Sequence, residues 1–164
     1  MTEKFIPTGN EMISIPEIRE SDASICSVNF LHMGFKGLIE IRGGSSPGEE
    51  FMCPFCRVDG KDLPMESLEW DNIHYWVPRF KTECGSIVFS GLILAPMGER
   101  GFIYKLSVMN QGKEDVDIST GLKGYWKYSL HTINESKLMN GSQYIYKSNW
   151  NKSFIMDFRN VVTL

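Results

Sequence analysis

The feature that most constrains this fold is a succession of short apolar runs, each followed by turn residues, between Ile87 and Phe158. In the run 102–109 every second residue is large and apolar, namely Phe102, Tyr104, Leu106 and Val108. Such alternation is typical of a strand with one buried face, and no segment here keeps helical spacing over three turns. The pattern predicts a β-meander, and the remainder of the chain repeats it.

Turn residues predict how two of these strands pair. Asn110 and Gly112 follow the run 102–109, and a second alternating run then places Val116 and Ile118 on one face. Two such runs joined by a short polar loop are typical of a β-hairpin. We therefore predict that the strands 102–109 and 116–122 pair with each other.

Strand candidates of this kind cover the whole chain, separated by clusters of Gly, Pro, Asn, Asp and Ser. They are Met12–Ile18, Ile25–His32, Gly37–Ile41, Phe51–Val58, Ile73–Phe80, Ser86–Leu94, Phe102–Met109, Val116–Leu122, Tyr125–Thr132, Gln143–Lys147 and Ser153–Phe158. Many short strands at this spacing predict an all-β fold. We expect residues 1–164 to form one domain, a large antiparallel β-sandwich of the supersandwich type.

Composition limits the partners and the location. Of 164 residues, 42% are hydrophobic, 23% are charged and 12% are aromatic, which suits one globular domain rich in strands. Because the net charge is −3 and no basic run occurs, we expect neither nucleic acid nor a membrane as a partner. The amino terminus carries no export signal and no apolar stretch approaches the ~20 residues that span a bilayer, so we expect a cytoplasmic protein.

The four cysteines allow three interpretations. A redox site at Cys53 and Cys56 would need a helix amino terminus, whereas this pair lies in a strand-like segment. A zinc site would have to add Cys84 and one of the three histidines as single, distant ligands, although structural zinc sites usually use two close pairs. We therefore favour thiols that pack as small apolar core residues, and expect no metal and no cofactor.

No motif for catalysis stands out. Glu66, Glu69 and Asp71 could supply a carboxylate pair for glycoside hydrolysis, but a solvated loop explains them equally well. The sequence predicts neither a nucleophile elbow, which needs a turn from a strand into a helix around the serine, nor a phosphate-binding loop. We assign no catalytic residue.

Aromatic residues give the best hint of binding, because sugar rings stack on Trp and Tyr while polar neighbours bond the hydroxyls. One cluster holds Trp70, Tyr75, Trp76 and Arg79, and the other holds Tyr125, Trp126, Tyr128, His131, Asn134, Glu135, Tyr146 and Trp150. The candidate carbohydrate-binding residues are Trp76, Arg79, Trp126, His131, Glu135 and Trp150. The alternative for each ring is a place in the core of the sandwich.

Several segments together resemble a known family. They are Phe55–Pro64, Trp70–Phe80, Ala95–Tyr104, Gly121–Trp126 and Leu130–Ser136. In these segments the chain resembles the amino-terminal β-sandwich, a galactose-mutarotase-like supersandwich, of bacterial glycogen-debranching-like and related glycoside hydrolases. The pair Cys53 and Cys56 is not part of that likeness.

The resemblance implies an accessory role. In that family an (α/α)6 barrel follows the sandwich and carries the catalytic carboxylates, so this chain would be the noncatalytic domain that packs on the barrel and contacts carbohydrate. The isolated chain is then not expected to be an enzyme. The apolar run 154–164 also led us to expect that the natural protein continues past Leu164, and that an exposed edge or apolar face promotes homo-oligomers.

Two other functions stay open at this point. A mutarotase-like sugar epimerase would use a histidine and a glutamate as acid and base, with His131 and Glu135 or His74 and Glu69 as the available pairs. An interaction module would instead bind a protein through an edge strand.

Overall fold

The structure is a computed structural model that describes residues 3–32, 37–43, 50–65, 67–73, 77–133, 146–148 and 152–158. These residues form thirteen strands and no helix. The strands are Phe5–Gly9 (β1), Ile13–Arg19 (β2), Ile25–His32 (β3), Gly37–Arg42 (β4), Met52–Val58 (β5), Lys61–Asp62 (β6), Glu69–Ile73 (β7), Val77–Cys84 (β8), Ile87–Leu94 (β9), Ile103–Asn110 (β10), Ile118–Ile133 (β11), Tyr146–Ser148 (β12) and Lys152–Phe158 (β13).

The strands build two antiparallel sheets. The large sheet contains β1 to β6 and β11 to β13; β1, β2 and β3 lie side by side, and β11 lies between β4 and β5 on one side and β12 and β13 on the other. The small sheet has the order β10-β9-β8-β7. The prediction of an all-β antiparallel sandwich is therefore confirmed.

One place in the middle of the large sheet is occupied by two strands, one after the other. β4 pairs with residues 127–132 of β11 and β5 pairs with residues 118–124, while β3 on the other side also pairs with both strands. β4 and β5 thus follow one another between the same two neighbours. This is why β11 is a single strand, where the sequence pattern predicted two, at 116–122 and 125–132.

The end of β4 and the start of β5 lie next to one another in the sheet. The Gly43 amide donates to the Cys26 carbonyl at 3.2 Å, and the Phe51 amide donates to the Ile25 carbonyl at 2.7 Å. A Cβ atom at Gly43 would overlap the backbone of Glu50. The two ends of the connection between β4 and β5 therefore touch, and only glycine fits at position 43.

The aromatic part of the core is centred on Phe80. This ring is fully buried and contacts three other aromatic rings, with centroid distances of 5.7 Å to Trp70, 5.6 Å to Phe89 and 6.3 Å to Tyr104. Gly91 lies directly across the β8–β9 pair from Phe80, and a Cβ atom there would be 2.5 Å from the ring. The missing side chain of Gly91 makes the space for Phe80.

Two aromatic side chains of the small sheet hold the turn between β2 and β3. The Trp70 indole Nε1–H donates to the Glu20 carbonyl at 2.8 Å, and the Tyr104 hydroxyl donates to the Ala23 carbonyl at 2.7 Å. Ala23 has a positive φ of 59°, which is unusual for a residue other than glycine. The polar ends of the core aromatics therefore satisfy carbonyls of the turn between β2 and β3 and tie the two sheets together.

The predicted hairpin of 102–109 with 116–122 is wrong. β10 pairs with β9 over all of its length, and β11 belongs to the other sheet. The segment that leads from β10 in the small sheet to β11 in the large sheet is held by Asp59. The Asp59 amide donates to the Asp117 carbonyl at 2.8 Å, and Asp59 Oδ1 accepts from the Asp117 amide at 3.0 Å. The meander predicted for 87–158 is likewise broken here, because β10 and β11 follow one another in the chain but lie in different sheets.

Other strand boundaries differ in detail. β1 and β6 were not predicted, since β1 contains Pro7 and a register shift and β6 has two residues. The strand predicted over 73–80 overlaps the end of β7 and the start of β8, and residues 74–76 lie outside the described residues.

We predict that Gly91→Ala destabilises the fold. A methyl group at this position must displace the Phe80 ring, and overpacking of this kind costs about 1–3 kcal/mol. Equilibrium unfolding in urea measures the change. Gly101→Ala is the matched control, because a Cβ atom at Gly101 meets nothing within 4 Å. Equal midpoints for Gly91→Ala and the unmodified protein would contradict the proposed packing.

Candidate functional site

The predicted carbohydrate-binding residues fall in different parts of the structure. Arg79 lies on β8 and its side chain is described, whereas Trp76, Glu135 and Trp150 lie outside the described residues. Trp126 pairs with Phe154, and His131 pairs with Leu38 and Ser148. Trp126 and His131 are an odd number of positions apart in β11, so the two positions belong to opposite faces of that strand.

Arg79 takes part in a surface ion pair. Its Nη2 lies 2.7 Å from Asp71 Oδ2 on β7, and the two side chains are 48% and 63% exposed. An exposed pair of this kind contributes little to stability and leaves both groups in contact with water. The structure therefore places Arg79 on an open outward face of the small sheet, with Pro78 buried next to it.

A small cavity lies on the same sheet. Its volume is about 270 Å³, and it is lined by Ser67, Leu68, Glu69, Lys81, Thr82 and Glu83. Pockets for small ligands usually range from about 300 to 1,000 Å³, so this one is at the lower limit. Of the residues proposed for an epimerase, Glu69 is the one whose side chain is described, and it lines this cavity.

Trp70 belongs to the core. It was part of the first aromatic cluster, but its ring packs on Phe80 and its Nε1–H is bonded to the Glu20 carbonyl. Its neighbours in the cluster, Tyr75 and Trp76, lie outside the described residues.

Sequence reasoning missed a polar surface on the large sheet, on the face turned away from the core. We call this the polar face; its members are Glu17, Ser27, Asn29, Glu40 and Arg42. In the register of β3 and β4, Ser27 pairs with Arg42 and Asn29 pairs with Glu40. Their chain neighbours Val28, Phe30 and Ile41 pack in the core, which leaves the polar residues on the opposite side.

Arg42 connects the polar face. Its Nη2 lies 3.2 Å from Glu17 Oε2 and its Nη1 lies 3.3 Å from Glu40 Oε1, while the Ser27 hydroxyl donates to Glu17 Oε2 at 3.2 Å. The side chains of Arg42 and Glu17 are each 25% exposed and that of Glu40 is 20% exposed. Three charged groups are thus held in fixed positions at a partly buried surface.

Hydrogen bonding in the polar face is incomplete. Asn29 Oδ1 and Arg42 Nε are buried and have no hydrogen-bond partner within the described part of the chain. Buried polar atoms are nearly always paired in proteins, so each exception needs a cause. Two carboxylates and one guanidinium also give the polar face a formal charge of −1. This surface can therefore bind groups that both donate and accept hydrogen bonds.

One signal in the sequence could have revealed the polar face. Polar residues alternate with apolar ones at Ser27 and Asn29 of β3, and again at Glu40 and Arg42 of β4. This alternation predicts strands, but it does not by itself indicate a binding surface, because polar residues on the outer face of a strand usually form an ordinary solvated face.

A second ion-pair cluster surrounds Arg19, whose side chain is 14% exposed. Its guanidinium lies 2.6 Å from Glu3, 2.9 Å from Asp22 and 3.6 Å from Glu50. These acids come from the chain before β1, from the β2–β3 turn and from the residue that precedes Phe51. The cluster therefore joins three chain segments and has a structural role.

The cysteines divide by burial. Cys26 and Cys56 are buried, Cys53 is half-buried and Cys84 is exposed. Burial raises the pKa of both the Cys26 and the Cys56 thiol to about 11. The prediction of core thiols is therefore confirmed for Cys26 and Cys56 and wrong for Cys84, which ends β8 next to a turn.

The pair Cys53 and Cys56 is divided by the geometry of β5. Residues three apart in a strand point to opposite faces. Cys56 accordingly packs in the core cluster with Ala23, Leu63 and Phe80, while Cys53 lies on the other side of the sheet. Among the described residues no group of three His, Cys, Asp or Glu side chains is arranged to hold a metal ion.

Comparisons with protein-family models, with curated proteins and with solved structures find no match for this chain. In the ranges that the structure describes, no helix is long and apolar enough to cross a membrane. The function is therefore argued from the geometry of the polar face.

We predict that thiol reagents distinguish these cysteines. In the folded protein at pH 8, Cys84 should react quickly, whereas Cys26 and Cys56 should react only after unfolding, because burial keeps them protonated and covered. Mass spectrometry of labelled peptides measures each rate, and Cys84→Ser should abolish the fast phase. A Cys56 rate equal to that of Cys84 would contradict the assigned core position.

The same thiols predict how stability depends on pH. Their pKa in the folded protein, about 11, is higher than the ordinary value of 9.0, so the unfolded chain loses these protons first as pH rises. The stabilisation is complete below about pH 9. The free energy of unfolding should therefore decrease as pH rises from 9.0 towards 11. In the Cys26→Ala/Cys56→Ala variant this decrease should be smaller.

We further predict that Arg42→Ala is more harmful than Arg57→Ala. Removing Arg42 takes the guanidinium away from the Glu17 and Glu40 carboxylates at a partly buried surface, at a cost of about 1–3 kcal/mol in the free energy of unfolding. Arg57 pairs with Asp62 at 2.7 Å, but the side chains are 43% and 70% exposed, so its loss should cost less than about 1 kcal/mol. Urea unfolding of both variants tests the order, and equal losses would contradict it.

Proposed function

We propose that this chain is a noncatalytic β-sandwich domain of a carbohydrate-active enzyme, a glycoside hydrolase of the debranching type, which contacts glycans through the polar face. The observation that carries this proposal is the position of Arg42 between Glu17 and Glu40 on an outward sheet surface. The resemblance of the sequence to supersandwich domains supports the same assignment.

The chemistry of the polar face suits sugar hydroxyls. A hydroxyl group donates one hydrogen bond and accepts others, and the polar face offers carboxylate oxygens as acceptors beside guanidinium N–H groups as donors. Because Glu17, Glu40 and Arg42 already hold one another in place, a ligand would lose little side-chain entropy on binding them. Arrays of fixed polar groups are the usual source of orientation in binding sites.

The same geometry argues against hydrolysis at this surface. Glycoside hydrolysis uses two carboxyl groups that flank the scissile bond, one of them able to give a proton to the leaving group. Glu17 and Glu40 instead contact the same guanidinium on a partly buried sheet face. In this proposal the catalytic carboxylates belong to an (α/α)6 barrel of the parent enzyme, and the sandwich packs against it.

Titration of the purified chain with maltoheptaose tests the proposal. We expect saturable binding in the millimolar range, about −4 kcal/mol, by calorimetry or by saturation-transfer NMR. The Glu17→Gln/Glu40→Gln variant keeps the shape of both side chains and should bind at least tenfold more weakly. Glu83→Gln is the control, since Glu83 is exposed on the small sheet. No release of reducing ends is expected.

Three outcomes would overturn parts of this proposal. Absence of saturable binding to maltoheptaose and to other soluble glycans would exclude glycan contact. Loss of binding in Trp126→Ala, with the glutamate variant unchanged, would move the contact from the polar face to the aromatic positions of β11. Release of reducing ends by the pure chain would show that it is itself a hydrolase.

A further inference from the structure

One strand at the edge of the sandwich is unprotected. Within the described residues the outermost strands are β1, β6, β12 and β13 in the large sheet and β7 and β10 in the small sheet. β1 contains Pro7 and a register shift, and β6 and β12 have two and three residues. Charged residues lie on the other two, Glu69 and Asp71 on β7 and Lys152 and Asp157 on β13. These are the features by which proteins normally prevent an edge strand from pairing with another chain.

β10 has none of these features except one lysine. It is eight residues long, it contains no proline, and its register with β9 is continuous from Ile103 to Asn110. On its outward face Ile103 is 51% exposed and Met109 is 58% exposed. In the described part of the chain the other side of this strand pairs with nothing, so its backbone donors and acceptors are available to a second strand.

We propose that two copies of this chain associate through β10, antiparallel and with the two-fold axis at Leu106. The axis is perpendicular to the sheet, so that the two small sheets become one continuous sheet with both cores on the same side. Each residue then lies opposite the residue of the second copy that is the same number of positions from Leu106 in the other direction along the strand. This inference goes beyond the proposed function, because the polar face lies on the other sheet.

The side chains of β10 are self-complementary in this register. Ile103 lies opposite Met109 of the second copy, which covers both exposed apolar side chains, and the two-fold symmetry repeats this pair. Tyr104 lies opposite Val108, an aromatic and β-branched pair of the kind that stabilises antiparallel sheets. Lys105 lies opposite Ser107, so no like charges meet.

Neighbouring registers of the two β10 strands bring less favourable pairs of side chains together. To keep outward faces together the axis must pass through a residue, and the next choices along the strand are Lys105 and Ser107. An axis at Lys105 places this lysine against its own copy, where like charges repel. An axis at Ser107 places Met109 against Lys105 and leaves Ile103 beyond the pairing of the two strands. Leu106 is therefore the favoured centre.

The oligomeric state of the whole chain tests the proposal. We expect a species of twice the 18.7 kDa of one chain by light scattering and by native mass spectrometry. Ile103→Lys/Met109→Lys places lysines opposite each other twice and should give monomers. Ile103→Glu/Met109→Lys places opposite charges together and should keep the dimer. Met97→Lys is the control, since Met97 is 79% exposed in the loop before β10.

Hydrogen exchange gives a second readout that needs no variant. Amides of β10 that point away from β9 should exchange more slowly as the protein concentration rises, while those of β7 should not change. A monomer at all concentrations, or the same effect of both charge variants, would overturn the proposal. Should either variant fail to fold, as judged by circular dichroism, concentration-independent exchange in β10 would still overturn it.

Discussion

The packing of Phe80 over Gly91 is the contact on which the two-sheet arrangement depends. The ring occupies the space that a side chain at Gly91 would fill, and from there it contacts Trp70, Phe89 and Tyr104. Two of these neighbours reach across the core, since Trp70 and Tyr104 bind carbonyls of the β2–β3 turn. One glycine in β9 thereby determines where the aromatic layer lies and how the small sheet attaches to the large one.

The sequence predicted the strands better than their partners. Alternation and turn residues located β3 and β9 almost to the residue, because a half-buried strand must alternate whatever it pairs with. Alternation carries no information about which strand lies alongside. The predicted partner of β10 was wrong because the passage of the chain from β10 to the other sheet depends on Asp59 and Asp117. These two residues are far apart in the sequence and meet only in the fold.

The candidate site was harder to predict than the fold. Residue type alone suggested that the aromatic residues bind carbohydrate, yet Trp70 is a core residue. Among the candidates for carbohydrate binding only the side chain of Arg79 is described. The polar face consists of common residues whose significance lies in their register. Glu17, Glu40 and Arg42 become a group only when β2, β3 and β4 lie side by side, and the alternation within each strand does not show which strands are neighbours.

The interruption between β4 and β5 has a consequence for how this domain tolerates change. Both strands are fixed on either side by β3 and β11, and the chain leaves and returns at Gly43 and Glu50, whose backbones touch. The length of the connection is therefore independent of the register of the sheet, and each doubling in the length of a connecting segment generally costs only about 0.6 kcal/mol. Evolution or an engineer could insert a peptide at this point, in the middle of a sheet instead of at its rim, without moving a single strand.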